Sequence, residues 1–365
     1  MVASPPFTME HAARKGRFAR AVAAFALGFV LLELGWRAYL FELAPPERQG
    51  KFARLDQMPE SAFRFRPHPH LVYALNERFV SADGKNRHNG HGTRGPDFVV
   101  PKPAGVVRIV CIGGSTTYET GVKDDAETYP AKMGELLRTR HGRADVEVIN
   151  AGVPGYTSFE SLILLALRAL EWQPDYVLYY DNTNDVHPRL VEPAVFASDD
   201  AGYRKPWDDD VRWWDHSLVV RWLGVQMGFS PRNALVDRAT REENQARDKA
   251  DALARNSPQW FRRNLEEMSA LCAARGSKLV LASWASCPSK GDFAGEELYQ
   301  RAFRENNAVL AEVARSNKLP WFDFEPAMSK DPELWADGAH VNERGAALKA
   351  ELFARFVAEH VLGRR

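Results

Sequence analysis

From residue 106 onward, short runs rich in Val, Ile and Leu alternate with stretches whose apolar positions recur every three or four residues. The short runs, at 106–112, 146–150, 176–180, 278–282 and 321–324, read as strands. The longer periodic stretches, at about 128–140, 159–170, 258–275, 296–316 and 343–360, read as helices. Ser257 before Pro258 suits a helix cap followed by a first-turn proline. Strands this short and this uniformly apolar, separated by helices, predict a parallel sheet covered on both faces. The rhythm breaks at 186–256, a long insert with Trp207, Trp213, Trp214 and Trp222 in its first half and a charged second half. It reads as a lid or docking surface, or as a helical elaboration that buries its own tryptophans.

Ahead of the alternating region the pattern differs. Residues 21–32 are apolar without interruption, and tolerating Glu33 and Arg37 extends the run to Phe41. That is close to the ~20 residues needed to cross a bilayer. The two charges stand four apart and so can pair on one helix face. Arg14, Lys15, Arg17 and Arg20 precede the run and no small-residue cleavage site follows it. These features predict a cytoplasmic N-terminus at 1–18, an uncleaved signal anchor at 19–41 and an exported remainder. The alternative is an amphipathic helix docked on the soluble domain. Residues 42–105, rich in Pro, Arg, His and Asn, read as a linker and irregular N-terminal wrap, leaving 106–365 as the main domain. Every chemically suggestive residue lies beyond 110, so removing 1–41 is expected to leave a soluble protein with its chemistry unchanged.

Composition narrows the function classes. Forty-eight basic residues balance forty-eight acidic ones, so no global field points to nucleic acid. Three cysteines give no zinc spacing; Cys111 falls in the first strand, and Cys272 and Cys287 could pair in an oxidising compartment. His68, His70, His88 and His91 lack acidic or cysteine partners at ligand spacing, so neither a metal nor another cofactor is expected.

The chemistry begins where the first strand ends, at Cys111-Ile112-Gly113-Gly114-Ser115-Thr116-Thr117. Two glycines after a strand serve a phosphate-binding loop or a sharp turn that projects a nucleophile. The dinucleotide fingerprint needs a glycine where Thr117 stands, and no Gly-Lys-Ser/Thr follows, so the nucleophile reading is preferred. Three more strand ends carry polar or glycine-rich runs: 150–158 after the second, 181–185 after the third, and Asp337-Gly338-Ala339-His340 beyond the fifth. In an open parallel sheet these ends share one edge, where ligands bind. A serine needs a base held in one tautomer, and Asp337 three residues before His340 lets a single turn present both side chains. The G-x-S-x-G elbow of α/β-hydrolases is absent.

These four blocks, in this order, resemble the SGNH or GDSL-type hydrolase superfamily over about 106–360. The resemblance implies a three-layer α/β/α sandwich with a flavodoxin-like five-stranded parallel sheet. It further implies Ser115 as nucleophile, His340 as base, Asp337 as its orienting acid, and an oxyanion hole of the Ser115 and Gly155 N–H groups and the Asn184 amide. Two departures stand out: Gly-Asp-Ser-Leu becomes Gly113-Gly114-Ser115-Thr116, and Gly-x-Asn-Asp becomes Asn182-Thr183-Asn184-Asp185, where Asn182 could crowd the pocket. With an N-terminal anchor and an N-x-x-G-x-R-G stretch (Asn89, Gly92, Arg94, Gly95), the chain is similar to a bacterial membrane-anchored envelope subgroup. Three functions follow as alternatives: an esterase releasing a short acyl group from a small molecule, carbohydrate or lipid; an O-acyltransferase acting on an envelope or exported polysaccharide; and a tethered glycan-binding scaffold without turnover.

Overall fold

The alternation of side chains along the strands decides which residues face which helix layer. The computed structural model describes residues 7–207, 212–230, 232 and 238–363. In chain order its helices are α1 (Phe7–Ala38), α2 (Pro46–Phe52), α3 (Ser115–Tyr118), α4 (Tyr129–Thr139), α5 (Ser158–Leu167), α6 (Leu218–Met227), α7 (Lys249–Arg255), α8 (Gln259–Ala274), α9 (Glu297–Ser316) and α10 (Glu343–Phe356). A hairpin, β1 (Phe65–His68) with β2 (Val72–Leu75), precedes β3 (Val107–Ile112), β4 (Val146–Asn150), β5 (Tyr176–Tyr179), β6 (Lys278–Ala282) and β7 (Trp321–Phe322).

The last five strands form one parallel sheet in the order β4-β3-β5-β6-β7, which is the flavodoxin-like order. Ile109 and Cys111 of β3, with Leu178 of β5 and Val280 of β6, pack against Tyr129, Met133 and Leu137 of α4 and Ala350 and Phe353 of α10. Their alternates Val110, Ile112, Val177 and Leu279 pack against Leu165 of α5 and Phe261, Leu265 and Met268 of α8. The period-2 burial thus gives the three-layer sandwich expected of an SGNH fold. Strands and helices lie within a few residues of their predicted bounds. One local reading changes: α8 starts at Gln259, with Pro258 rather than Ser257 at the cap position and no side-chain cap bond. Cys272 belongs to one of these two cores and Cys287 to the other, both free and buried, so they do not pair.

The chain divides into two units, Pro59–Asp208 with Ala239–Arg365, and Met1–Met58 with Asp209–Arg238. The first holds the sheet, the hairpin and both flanks of the insert. In the second, the helical segment Arg14–Leu43, most of α1 with the turn that follows it, is 30 residues long, reaches a mean hydropathy of 1.8 over an 18-residue stretch, and is long and apolar enough to cross a membrane. Leu40, Ala44, Phe52 and Ala53 there form a small core with Leu218 and Val225 of α6. Residues 1–41 thus contribute Leu40 to this core, against α6.

Candidate active site

Four strand-end loops meet along one sheet edge, and in each loop one residue is half-exposed between buried neighbours: Ser115, Gly155, Asn184 and His340. Ser115 starts α3 directly after β3, beside the point where the strand order reverses. Its two preceding glycines are required. Gly113 has φ +148°, and a Cβ on it would lie 2.5 Å from the Tyr180 carbonyl oxygen. A Cβ on Gly114 would lie 2.2 Å from Asn184 Nδ2 and 2.5 Å from Asp181 Oδ2, so the aspartate usual before the serine has no room here.

His340 Nε2 lies 2.7 Å from Ser115 Oγ, and His340 Nδ1 lies 2.8 Å from Asp337 Oδ2 and 3.0 Å from Oδ1. The backbone N–H groups of Ala339 and His340 also donate to Asp337 Oδ1, each at 2.8 Å. The carboxylate therefore shapes the turn and fixes the ring. With Nδ1–H donating to Asp337, Nε2 is left to accept the serine proton. Burial pushes the Asp337 carboxyl up, but the His340 bond and charge and the two N–H donors outweigh it and hold it below its ordinary value. A bridge between Trp335 and Val341 and a bond from Ala336 N–H to the His340 carbonyl (2.8 Å) close the turn just before α10.

Neither the Ser115 N–H nor that of Gly155 donates to a protein acceptor among the described residues. Gly155 sits at φ +83° in a turn held from three directions. The Tyr73 hydroxyl donates to the Pro154 carbonyl at 3.0 Å, which belongs to the same planar peptide as the Gly155 N–H. Arg204 donates to the Gly155 carbonyl and to Glu160 Oε1 (2.6 Å), a buried ion pair. Thr157 and Glu160 complete a capping box at the start of α5. Tyr73 comes from the hairpin and Arg204 from the insert, and no sequence signal marked either.

The Asn184 amide donates to the Tyr156 carbonyl at 2.8 Å and, at the longer 3.2 Å, to Asp181 Oδ2. Asn182, by contrast, is buried and donates to the Phe303 carbonyl and Asn307 Oδ1 (both 2.9 Å), so it points into α9 and does not crowd the serine. Arg94 of the N-x-x-G-x-R-G stretch donates to the carbonyls of Tyr118, Glu119 and Val122 (all 2.9 Å) and to Asp125 (2.7 Å). That motif thus braces the end of α3, the helix that carries Ser115. His88 bonds the Asn76 carbonyl (2.8 Å) and the Tyr118 hydroxyl (2.9 Å) in the same layer.

Asp181 is buried, and desolvation pushes its carboxyl up to about 7 against the pull of the Asn182, Asn184 and Gly114 donors and of His340. Its folded pKa lies above the ordinary value, so between about pH 4 and pH 7 the folded chain keeps a proton that the unfolded chain has released. Stability from this group is complete at low pH and is lost as pH rises through that window. Asp181→Asn should therefore flatten the fall in unfolding free energy by up to about 1.4 kcal/mol per pH unit, read from urea titrations across the window. Equal slopes in variant and wild type would show that Asp181 is already ionised in the folded protein.

Three solved structures resemble the chain. A lipase/acylhydrolase from Enterococcus faecalis is 21% identical, covering 69% of this chain and 96% of its own, with TM-score 0.43. An acetylxylan esterase from Geobacillus stearothermophilus is 14% identical, with 71% and 96% covered and TM-score 0.44. An alpha/beta hydrolase enzyme from the metagenome of Lake Arreo, Spain, is 16% identical, with 68% and 94% covered and TM-score 0.44. No curated protein matches the sequence. A family model described as GDSL-like Lipase/Acylhydrolase matches residues 111–348, about two thirds of the sequence and all four strand-end loops, and the chain belongs to that family.

Proposed function

We propose that the protein is a serine ester hydrolase acting on a short-chain acyl ester of a carbohydrate, lipid or small molecule. The observation that carries this reading is the unbroken line from Ser115 Oγ through His340 to Asp337, at 2.7 and 2.8 Å. Ser115 attacks the ester carbonyl as His340 Nε2 takes its proton, forming a tetrahedral oxyanion. The oxyanion sits against the free N–H groups of Ser115 and Gly155. The Asn184 amide joins them by turning away the hydrogen it now gives to Asp181. His340 then protonates the leaving alcohol, the carbonyl reforms, and the acyl group stays on Ser115. Water activated by the same imidazole releases it. If a sugar hydroxyl takes the place of water, the identical half-reaction yields O-acyl transfer. Incubating the full chain with a short-chain aryl ester, with and without sugar acceptors, and following both products distinguishes these outcomes. No release of the aryl alcohol under either condition would leave the scaffold reading.

The anchor sets where this chemistry takes place. Arg14, Lys15, Arg17 and Arg20 lie on the N-terminal side of the uninterrupted apolar run 21–32. By the positive-inside rule the N-terminus faces the cytoplasm and the catalytic unit is exported. A C-terminal reporter active only after export should therefore report, and a silent one would overturn this orientation.

A further inference from the structure

The uninterrupted apolar part of α1, residues 21–32, is twelve residues long. At 1.5 Å per residue it spans about 18 Å, well short of the ~30 Å hydrocarbon core. If α1 crosses the bilayer, as the preceding reading holds, the next two turns must enter it too, carrying Glu33 and Arg37. A lone carboxylate at that depth is costly and needs partners.

Glu33 has four. Arg37 Nε lies 2.7 Å from Oε1, and the others all come from one place in the insert: Ser217 Oγ (2.8 Å), Leu218 N–H (2.9 Å) and Val219 N–H (3.0 Å). Arg37 in turn donates to the His216 carbonyl at 2.7 Å. A glutamate from α1 thus caps the N-terminus of α6, which lies alongside α1 with the Trp36 and Trp222 rings 5.8 Å apart. Whatever depth Glu33 reaches, the start of α6 reaches with it.

The exposed surface of α6 is built for that depth. Leu218 and Val225 pack inward, and Arg221 is buried against Asp215 (3.4 Å) and the Phe52 carbonyl (2.9 Å). Outward stand Trp222, Leu223 and Met227, the last 73% exposed, flanked by Trp213 (79%) and Phe229; Gln226 is the one exposed polar side chain of the helix. Leu34, Phe41 and Leu43 continue the same apolar exposure on the α1 segment. Tryptophans beside aliphatic residues are the composition of a membrane boundary.

We propose that α6 is a second membrane-contacting element: it lies in the outer boundary of the bilayer that α1 crosses, with Trp213, Trp222, Leu223, Met227 and Phe229 against phospholipid acyl chains. The insert thereby supplies both the lipid-facing wedge and the partner that lets Glu33 enter the membrane.

Spin labels on Leu223→Cys and Met227→Cys in the full chain test this, in vesicles of phosphatidylcholine with a minor fraction of phosphatidylglycerol. Phe25→Cys reports the anchor and Glu297→Cys the solvent, while the three native cysteines are buried. Collisions with oxygen should exceed those with a water-soluble nickel chelate several-fold at 25, 223 and 227, and the order should reverse at 297. Labels at 223 and 227 as open to nickel as the one at 297, with 25 protected, would overturn the proposal and leave the anchor standing. Nickel access at 25 as well would overturn both. Protection from both quenchers with dipolar broadening would assign this face to a second copy of the chain instead of lipid.

Discussion

Ser115→Ala is expected to reduce ester turnover by about four orders of magnitude or more while leaving the fold unchanged. The substitution deletes one oxygen, which is hydrogen-bonded to His340 Nε2. What holds the loop is backbone: the Ser115 carbonyl accepts from Glu119 N–H (2.8 Å) and Thr120 N–H (3.0 Å), and both bonds survive the change. Residual activity would come from the oxyanion donors alone, which act on any nucleophile that reaches the carbonyl. Initial rates on a short-chain aryl ester, with thermal unfolding as the control on folding, read the effect. A fluorophosphonate should label the wild type at Ser115 and not label the variant. Turnover within tenfold of wild type would remove Ser115 from the reaction.

Lys349→Met is expected to produce the largest loss of stability. Lys349 is fully enclosed: its Nζ donates to the Thr116 carbonyl (2.7 Å) and Glu119 Oε1 (3.2 Å), and it lies 4.1 and 4.3 Å from the Tyr129 and Tyr180 ring centroids. Burial raises the Glu119 carboxyl and lowers the Lys349 ammonium from their ordinary values, and each charge offsets that cost for the other. Removing the lysine leaves a buried carboxylate whose one remaining donor among the described residues is the Tyr129 N–H at 3.2 Å, a change that costs about 3–5 kcal/mol in comparable buried pairs. The double variant Lys349→Met/Glu119→Gln should recover most of that, since no charge is then stranded. Urea midpoints of the three proteins decide it. A single variant as stable as wild type, or a double variant no better than the single, would mean that the pair is not the main support beneath α3.

Legibility divides by distance along the chain. Ser115, Gly155 and Asn184 were readable as candidates because each stands in a short polar or glycine run after an apolar strand, and the Asp337–His340 pair because its spacing of three lets one turn present both side chains. The sheet topology then brings those runs to one edge. The Glu33–Arg37 pair was readable from its spacing of four. The braces were not. Tyr73 reaches Pro154 across 81 residues, Lys349 reaches Thr116 across 233, and Glu33 reaches Leu218 across 185. Local pattern carries no trace of such contacts, because a tyrosine in a hairpin or a lysine on a helix has the same neighbours whether or not it touches a distant loop. The departure at Asn182 misled for a related reason. Its position beside the site was legible, but the direction of its side chain was set by Phe303 and Asn307 on α9.

The space beside Gly114 has an evolutionary consequence. A carboxylate occupies it, but it comes from Asp181 at the end of β5 and not from the residue before the nucleophile. Adding an aspartate at 114 would drive a side chain into Asp181 and Asn184, while emptying position 181 first would remove one of the two acceptors of the Asn184 amide and leave the Gly114 N–H without its acceptor. Neither single step is neutral. Substitutions at 114 and 181 are therefore expected to be non-additive. Descendants of a common ancestor should carry a side-chain carboxylate at one of them with a small or uncharged residue at the other, and lineages should cross between the two arrangements only by paired substitution.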